Sequence, residues 1–211
     1  MKRVVQIGLL VVMGILMVGT ASATMLVSSQ GNFGDANAVF EQQFTYDPAT
    51  MGALLIIQTY GYGGSSNAPG GTNSSGTLIA SGGFDPMIAL YFGTVGGGGA
   101  RIAGNDDQPD TPTFTPCGPG SGADDPITTF CRDSRLVFNS LAAGTYTVAL
   151  SVFSNTPPPT ENGAYPGTGS FSGRTAAFAI DVTAVPEPVT SMLLGSALLA
   201  IGVMVRRKRG G

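Results

Sequence analysis

The stretch from Arg135 to Val152 reads RLVFNSLAAGTYTVALSV and contains two predicted strands joined by a turn. In the second strand every other residue is apolar, and these residues share one face: Tyr146, Val148, Leu150 and Val152. The first strand shows the same alternation with Leu136 and Phe138, and Ala142-Ala143-Gly144 turns the chain between the two. A repeat of two residues is typical of a strand that is buried on one face.

The same pattern recurs along the chain on both sides of this stretch. Val39 to Tyr46 alternates like a half-buried strand, and Ala53 to Tyr60 is apolar on both faces, which predicts a central strand. Four shorter strands are expected at Thr77–Ala80, Met87–Phe92, Ala100–Ala103 and Ala177–Thr183. About eight short strands, Gly- and Pro-rich loops and no convincing helix predict an all-β fold, an antiparallel β-sandwich or jelly roll.

Four segments in the middle of the chain carry a resemblance to a known family. They read FDPMIALY from Phe84, IAGNDD from Ile102, DSRLVF from Asp133 and LAAGTYTV from Leu141. This order resembles the bacterial pre-peptidase C-terminal domain, and the resemblance implies a jelly-roll β-sandwich that often accompanies secreted enzymes. The chain departs from the family in two ways: the loop after Asp107 is enlarged, and we expect no catalytic domain beside it.

The N-terminal residues have the three parts of a secretory signal peptide. Lys2 and Arg3 supply the positive charge, Val4 to Val18 is apolar, and Ala21-Ser22-Ala23 is an A-x-A cleavage site. We therefore predict that residues 1–23 form a signal-peptide helix that signal peptidase removes, so that the exported protein starts at Thr24. The alternative is an uncleaved membrane anchor.

The C-terminal residues form a second targeting segment. Val185-Pro186-Glu187-Pro188 precedes the apolar run Val189–Val205, and a basic cluster follows: Arg206, Arg207, Lys208 and Arg209. Seventeen residues of helix are about 25 Å long, slightly short for a hydrocarbon core of roughly 30 Å. The flanking arginines compensate by snorkelling, and they keep this end in the cytoplasm. The prolines place the start of the transmembrane helix after the motif.

This order of motif, apolar run and basic end closely resembles the PEP-CTERM tail of Gram-negative bacteria. In that family an exosortase, which is an integral-membrane cysteine protease, recognises and processes the tail during export. The resemblance implies a transient membrane anchor followed by delivery to the cell surface or the medium; the alternative is a plain C-terminal anchor. The predicted organisation is a signal peptide at 1–23, an exported β-sandwich at 24–184 and a sorting tail at 185–211.

The charge of the predicted exported domain is strongly negative. Six of the ten basic residues lie in the two targeting segments, and only Glu187 among the acidic residues lies outside residues 24–184. Four arginines and twelve acidic residues remain, a net charge of −8. Such a surface repels phosphate backbones, which makes nucleic acid an unsuitable partner, and attracts divalent cations.

Cys117 and Cys131 are the only cysteines. In an exported protein such a pair predicts a disulfide, here one that closes a loop of about 15 residues. A two-cysteine metal site is the alternative. It requires further soft ligands, and the chain has no histidine.

Residue types that support catalysis are scarce. Without histidine there is no Ser-His or Cys-His pair, and neither a G-x-S-x-G elbow nor a P-loop is present. The one candidate site consists of Asp85, Asn105, Asp106 and Asp107, which end neighbouring predicted strands. Oxygen ligands of this kind suit Ca²⁺, and four more acidic residues are available to supplement them: Asp110, Asp124, Asp125 and Asp133. The alternative is a set of acidic surface turns.

These observations predict an exported, exosortase-sorted protein of the cell surface or extracellular matrix without catalytic activity. Its expected role is structural or adhesive in a matrix rich in exopolysaccharide. A carbohydrate- or peptide-binding module is the alternative. That role would require exposed aromatic side chains, and four tyrosines lie near predicted loops: Tyr60, Tyr62, Tyr91 and Tyr165. An enzyme would require at least two carboxylates that converge in a pocket.

Overall fold

Two four-stranded antiparallel sheets form the fold of the computed structural model, which describes residues 22–61, 71–80, 82–107 and 133–186. In chain order the strands are β1 Thr24–Asn32, β2 Phe40–Tyr46, β3 Leu54–Tyr60, β4 Gly71–Thr72, β5 Leu78–Ile79, β6 Pro86–Phe92, β7 Arg101–Asn105, β8 Arg135–Phe138, β9 Gly144–Val152 and β10 Ala177–Val185. The first sheet has the order β1-β10-β3-β8 and the second has the order β2-β9-β6-β7. Strands β4 and β5 form a separate small hairpin.

The core lies between the inner faces of the two sheets. The alternating residues of β9 that the sequence places on one face are all in this core and at most 1% exposed. From the first sheet, Ile57 of β3 and Ile180 and Val182 of β10 are fully buried against them. The predicted all-β sandwich is therefore confirmed, because the two-residue period of the sequence matches the buried faces.

Consecutive strands mostly belong to different sheets. Of the eight strands in the sandwich, only β6 and β7 follow each other within one sheet. Thus β8 pairs with β3 at the edge of the first sheet, whereas β9 is central in the second and pairs with β2 and β6. The turn before β9 is held by the Tyr146 hydroxyl, which donates to the carbonyl of Ala142 at 2.6 Å.

Two strands are additional to those predicted. β4 has only two residues, which are too few to show a two-residue alternation. The other, β1, follows the predicted cleavage site directly. The sequence of β1, TMLVSSQGN, does not alternate cleanly, because its pairing with β10 shifts register between Met25 and Val27. Such a bulge breaks the two-residue repeat on which the strand predictions depend.

One helical turn, α1 (Pro48–Met51), joins β2 to β3. The Asp47 side chain caps it by accepting from the Ala49 N–H at 3.0 Å, and Pro48 suits its first turn. Within the described ranges, no helix is long and apolar enough to cross a membrane.

A compact unit extends from Ala23 to Val185, close to the predicted bounds of 24–184. Val185, the first residue of the predicted sorting motif, is the last residue of β10 and pairs with Leu54. The motif therefore begins where the sandwich ends. The signal peptide up to residue 21, Cys117, Cys131, and the tail from Glu187 onward lie outside the described residues.

The second sheet carries a covering segment (residues 155–166) on the side away from the core. The Tyr91 hydroxyl of β6 donates to the carbonyl of Pro158 at 3.0 Å, and the Arg101 N–H of β7 donates to the carbonyl of Pro159 at 2.8 Å. Beneath this segment Ala89, Tyr91 and Ala149 form a second small apolar cluster. This layer explains why β6 is buried on both faces.

Candidate functional site

Three of the four predicted site residues meet at the point where β6 begins and β7 ends. These strands are antiparallel neighbours, with Ile88 opposite Asn105, so Asp85 just before β6 lies beside Asp106 and Asp107 just after β7. One oxygen from each of the three carboxylates lies within 4.8 Å of the others. Asp107 is only 7% exposed, and Asp85 and Asp106 are half-buried. Asp107 is thus shielded from solvent, whereas Asp85 and Asp106 remain in partial contact with it.

Asn105, the fourth predicted residue, joins the two sheets. Its side chain is fully buried, and its Oδ1 accepts from the backbone N–H of Arg135 at 3.0 Å. This bond fastens the end of β7 in the second sheet to the start of β8 in the first. Asn105 therefore positions the strand end that carries Asp106 and Asp107.

Ser134 was not singled out in the sequence, yet it lies at the centre of this region. Its fully buried Oγ is 2.6 Å from the carbonyl oxygen of Pro86, 2.7 Å from that of Asp106 and 3.1 Å from that of Asn105. A hydroxyl has one proton, so three carbonyl oxygens share a single donor. Its backbone N–H donates to Thr59 Oγ1 at 2.7 Å, which connects the group to β3. A serine just before a strand carries no sequence signal of such a role.

The other acidic residues expected to supplement the site are distributed differently. Asp133 is 8% exposed, and its Oδ1 accepts from the Thr59 hydroxyl at 3.4 Å. The Asp133 side chain is therefore in contact with β3, while its backbone directly precedes Ser134. Asp110, Asp124 and Asp125 lie outside the described residues.

The donor set fits a hard divalent cation. Carboxylate and carbonyl oxygens are the ligands that Ca²⁺ takes, six to eight at a time. Asp85, Asp106 and Asp107 would hold the ion, whose two positive charges would offset two of the three negative charges at a junction of three strands. Its effect would be structural, because it would tie the start of β6 to the end of β7.

Millimolar Ca²⁺ should raise the melting temperature of the exported domain. A ligand that binds only the folded state adds about 2.7 kcal/mol at a hundredfold excess over Kd, which is about 5–10 °C for a domain of this size. The Asp106→Asn/Asp107→Asn variant should lose the gain, because each change removes a ligand charge at nearly constant volume. Thermal melts in chelator and in Ca²⁺ measure both.

The matched control is Asp35→Asn with Asp47→Asn, which changes the net charge equally in the β1–β2 and β2–β3 connections. Asn replaces Asp well as a turn or cap residue, so this variant should keep the calcium response of the wild type. Equal wild-type midpoints in chelator and Ca²⁺ would exclude the metal site.

Three of the four tyrosines lie in the described part of the chain, and none of these three is an exposed residue of the kind that a sugar-binding platform requires. Tyr91 is fully buried, and burial raises its pKa to about 12. Burial, followed by the nearby Tyr91, also raises the pKa of half-buried Tyr165. Burial and the Asp181 carboxylate raise the pKa of Tyr60 to about 12. Tyr62 lies outside the described residues.

A second carboxylate pair lies at the covering segment. Both oxygens of Glu161, which is 4% exposed, accept backbone N–H groups, from Gly96 at 2.6 Å and from Gly98 at 2.9 Å. Burial and the Glu161 charge raise the pKa of Glu41 on β2. Because Glu161 is committed to the β6–β7 turn, its role is to hold this turn against the covering segment.

No protein-family model matches the chain, and no curated protein matches it.

Proposed function

We propose that the chain is an exported cell-surface or extracellular-matrix protein with a structural or adhesive role and no catalysis of its own, sorted by an exosortase through its C-terminal tail. The observation that carries the proposal is the order at the C-terminus: Val185 to Pro188, then the apolar run to Val205, then the basic cluster to Arg209. A signal peptide at 1–23 puts the N-terminus on the far side of the inner membrane, and the basic cluster stays inside.

The fold supports this proposal. We also propose that the sandwich is a jelly roll, since without the β4–β5 hairpin eight strands remain and nearly every connection crosses between the sheets. A sandwich of this kind places its loops at the two ends and needs no cofactor to fold. The three-strand junction at Asp85, Asp106 and Asp107 adds a place where extracellular calcium would stiffen it.

A carbohydrate-binding module is the less favoured function. Sugars stack on exposed aromatic rings, and in the described part of the chain Tyr91 is buried while Tyr60 and Tyr165 are half-buried. If the partner is a matrix polysaccharide, the protein would bind it through polar loops, or through cations that bridge the polysaccharide to the acidic surface, and not through aromatic stacking.

The test compares the full-length chain in a host that has an exosortase with the same host lacking that enzyme. With the enzyme, immunoblots should show a shortened form in the surface or medium fraction, and its N-terminal sequence should start at Thr24. Without it, a larger form should remain in the inner membrane. The same product in the same fraction of both hosts would refute exosortase sorting.

A further inference from the structure

The sandwich has four edge strands, and three of them are protected. An open edge invites pairing with another strand, and proteins prevent this with charges or with cover. The Arg135 N–H of β8 is taken by Asn105, and the Arg101 N–H of β7 is taken by Pro159. β2 carries the charged side chain of Glu41.

β1 lacks the charge and the contacts that protect the other three strands, although a bulge between Met25 and Val27 interrupts one end of it. Its nine residues include no charged residue and no proline. Among the described residues it pairs with β10 alone, from Thr24 to Asn32, and lies next to β2 without pairing to it. One backbone edge of β1, about 30 Å long at 3.3 Å per residue, therefore has no partner strand in the described part of the chain.

The two ends of β1 carry complementary features. A cavity of about 370 Å³ lies at its C-terminal end, lined by Gln30, Asn32, Leu78 and Ile79 among others, and Leu78 is 66% exposed. At its N-terminal end Met25 is an apolar side chain that is 49% exposed. Met25 lies opposite Thr183 and Gln30 opposite Ala179, whereas the intervening β10 residues Ile180 and Val182 point into the core. Met25 and Gln30 therefore share the outer face of the first sheet.

We propose that β1 pairs antiparallel with β1 of a second copy of this chain, which joins two first sheets into one of eight strands. A two-fold axis near the middle of β1 brings the N-terminal end of each strand beside the C-terminal end of the other. Met25 of each copy then reaches the cavity beside Leu78 of the other. Methionine suits this position, because its flexible thioether fills irregular apolar spaces.

Charge selects a second copy at this edge. The exported domain has a net charge of −8, so two copies repel each other over most of their surface. A neutral strand is where they approach without placing carboxylates opposite each other. β1 carries Met25 at one end, and at its other end it lines the cavity together with Leu78 and Ile79 of β5, so each copy supplies both halves of the contact. This inference does not depend on the proposed sorting.

Sedimentation equilibrium of the full-length chain in density-matched detergent tests the proposal. The wild type should dimerise reversibly. Gln30→Glu should weaken the dimer about tenfold or more, because it places a carboxylate in the lining of the cavity that receives Met25 of the other copy, where the charge loses its water. Gln43→Glu, the same change at an exposed position of β2, should leave the dissociation constant unchanged.

A second pair of variants tests the cavity. Leu78→Ser should also weaken the dimer, whereas Ile102→Ser on β7, another exposed apolar residue, should not. All four positions are exposed, so circular dichroism should show native folding in each variant. A wild type that stays monomeric up to about 100 µM would overturn the proposal. So would a dimer that is equally tight in Gln30→Glu and Gln43→Glu, since its interface would then lie elsewhere, for example in the tail.

Discussion

The Glu187→Ala variant is expected to accumulate in the inner membrane as an unprocessed precursor in a host that has an exosortase. Glu187 is the only charged residue between Asp181 and Arg206, and it stands between two prolines, a residue type that disfavours helix on either side of it. Replacing it with alanine removes the one carboxylate that a protease can recognise there, while the apolar run and the basic cluster stay intact. We expect the surface form to fall at least tenfold.

Thr190→Ala is the matched control, because it lies three residues further on and leaves the motif unchanged. This control should be processed like the wild type. Pulse-chase labelling followed by membrane fractionation measures both. If Glu187→Ala is released at the wild-type rate, then Val189 to Val205 is a plain anchor and the exosortase proposal is wrong.

The Glu161→Ala variant is expected to lose about 3 kcal/mol of stability, which corresponds to about 6–12 °C in melting temperature. Its carboxylate accepts from the N–H groups of Gly96 and Gly98, and its own N–H donates to the carbonyl of Gly99 at 2.9 Å. Alanine keeps the last bond but removes the acceptor of two backbone N–H groups, that of exposed Gly96 and that of half-buried Gly98. The stability of Glu161→Gln, whose side chain supplies one acceptor, should lie between that of the wild type and that of Glu161→Ala.

Hydrogen exchange distinguishes local release from global destabilisation. If Glu161 holds the covering segment as described, amides of residues 96–99 and 155–166 should exchange faster in Glu161→Ala, while those of β9 change less. A melting temperature within 2 °C of the wild type would show that the two hydrogen bonds contribute little.

Glu41→Gln is the control for the pair formed by Glu41 and Glu161. We expect this substitution to stabilise the protein, whereas Glu161→Ala destabilises it. Burial and the Glu161 charge raise the pKa of Glu41 above its ordinary 4.5, so the folded state binds its proton more readily than the unfolded state. The contribution of Glu41 to the stability of the wild type is therefore fully present below pH 4.5. It is lost as the pH rises through the pKa of Glu41 in the folded state. At pH 7 the uncharged variant should be slightly more stable, by only about 0.5 kcal/mol because Glu41 is partly exposed to solvent. Urea titrations at pH 4.5 and 7 measure this difference.

The two-residue period of the sequence was sufficient to place most strands and their buried faces. In β9 and β10 the apolar alternation and the buried positions coincide, because a sheet with one buried face imposes its pattern on local sequence. The proposed targeting segments rest on equally local features, since hydrophobic length and flanking charge decide membrane insertion without tertiary structure. β1 escaped prediction because its bulge at Met25 interrupts the period.

Only the tertiary structure decided which residues meet. The sequence predicted that Asp85, Asp106 and Asp107 end neighbouring strands, but their separation depends on the antiparallel register of β6 and β7. The bond from Arg135 to Asn105 joins residues 30 positions apart, and the bonds from Gly96 and Gly98 to Glu161 span more than 60. Such contacts have no local period, because they arise from how the two sheets and the covering segment pack. Local patterning thus determined most strands and is the basis of the proposed export signals, whereas packing between distant segments determined the carboxylate cluster, the burial of Tyr91 and the edge position of β1.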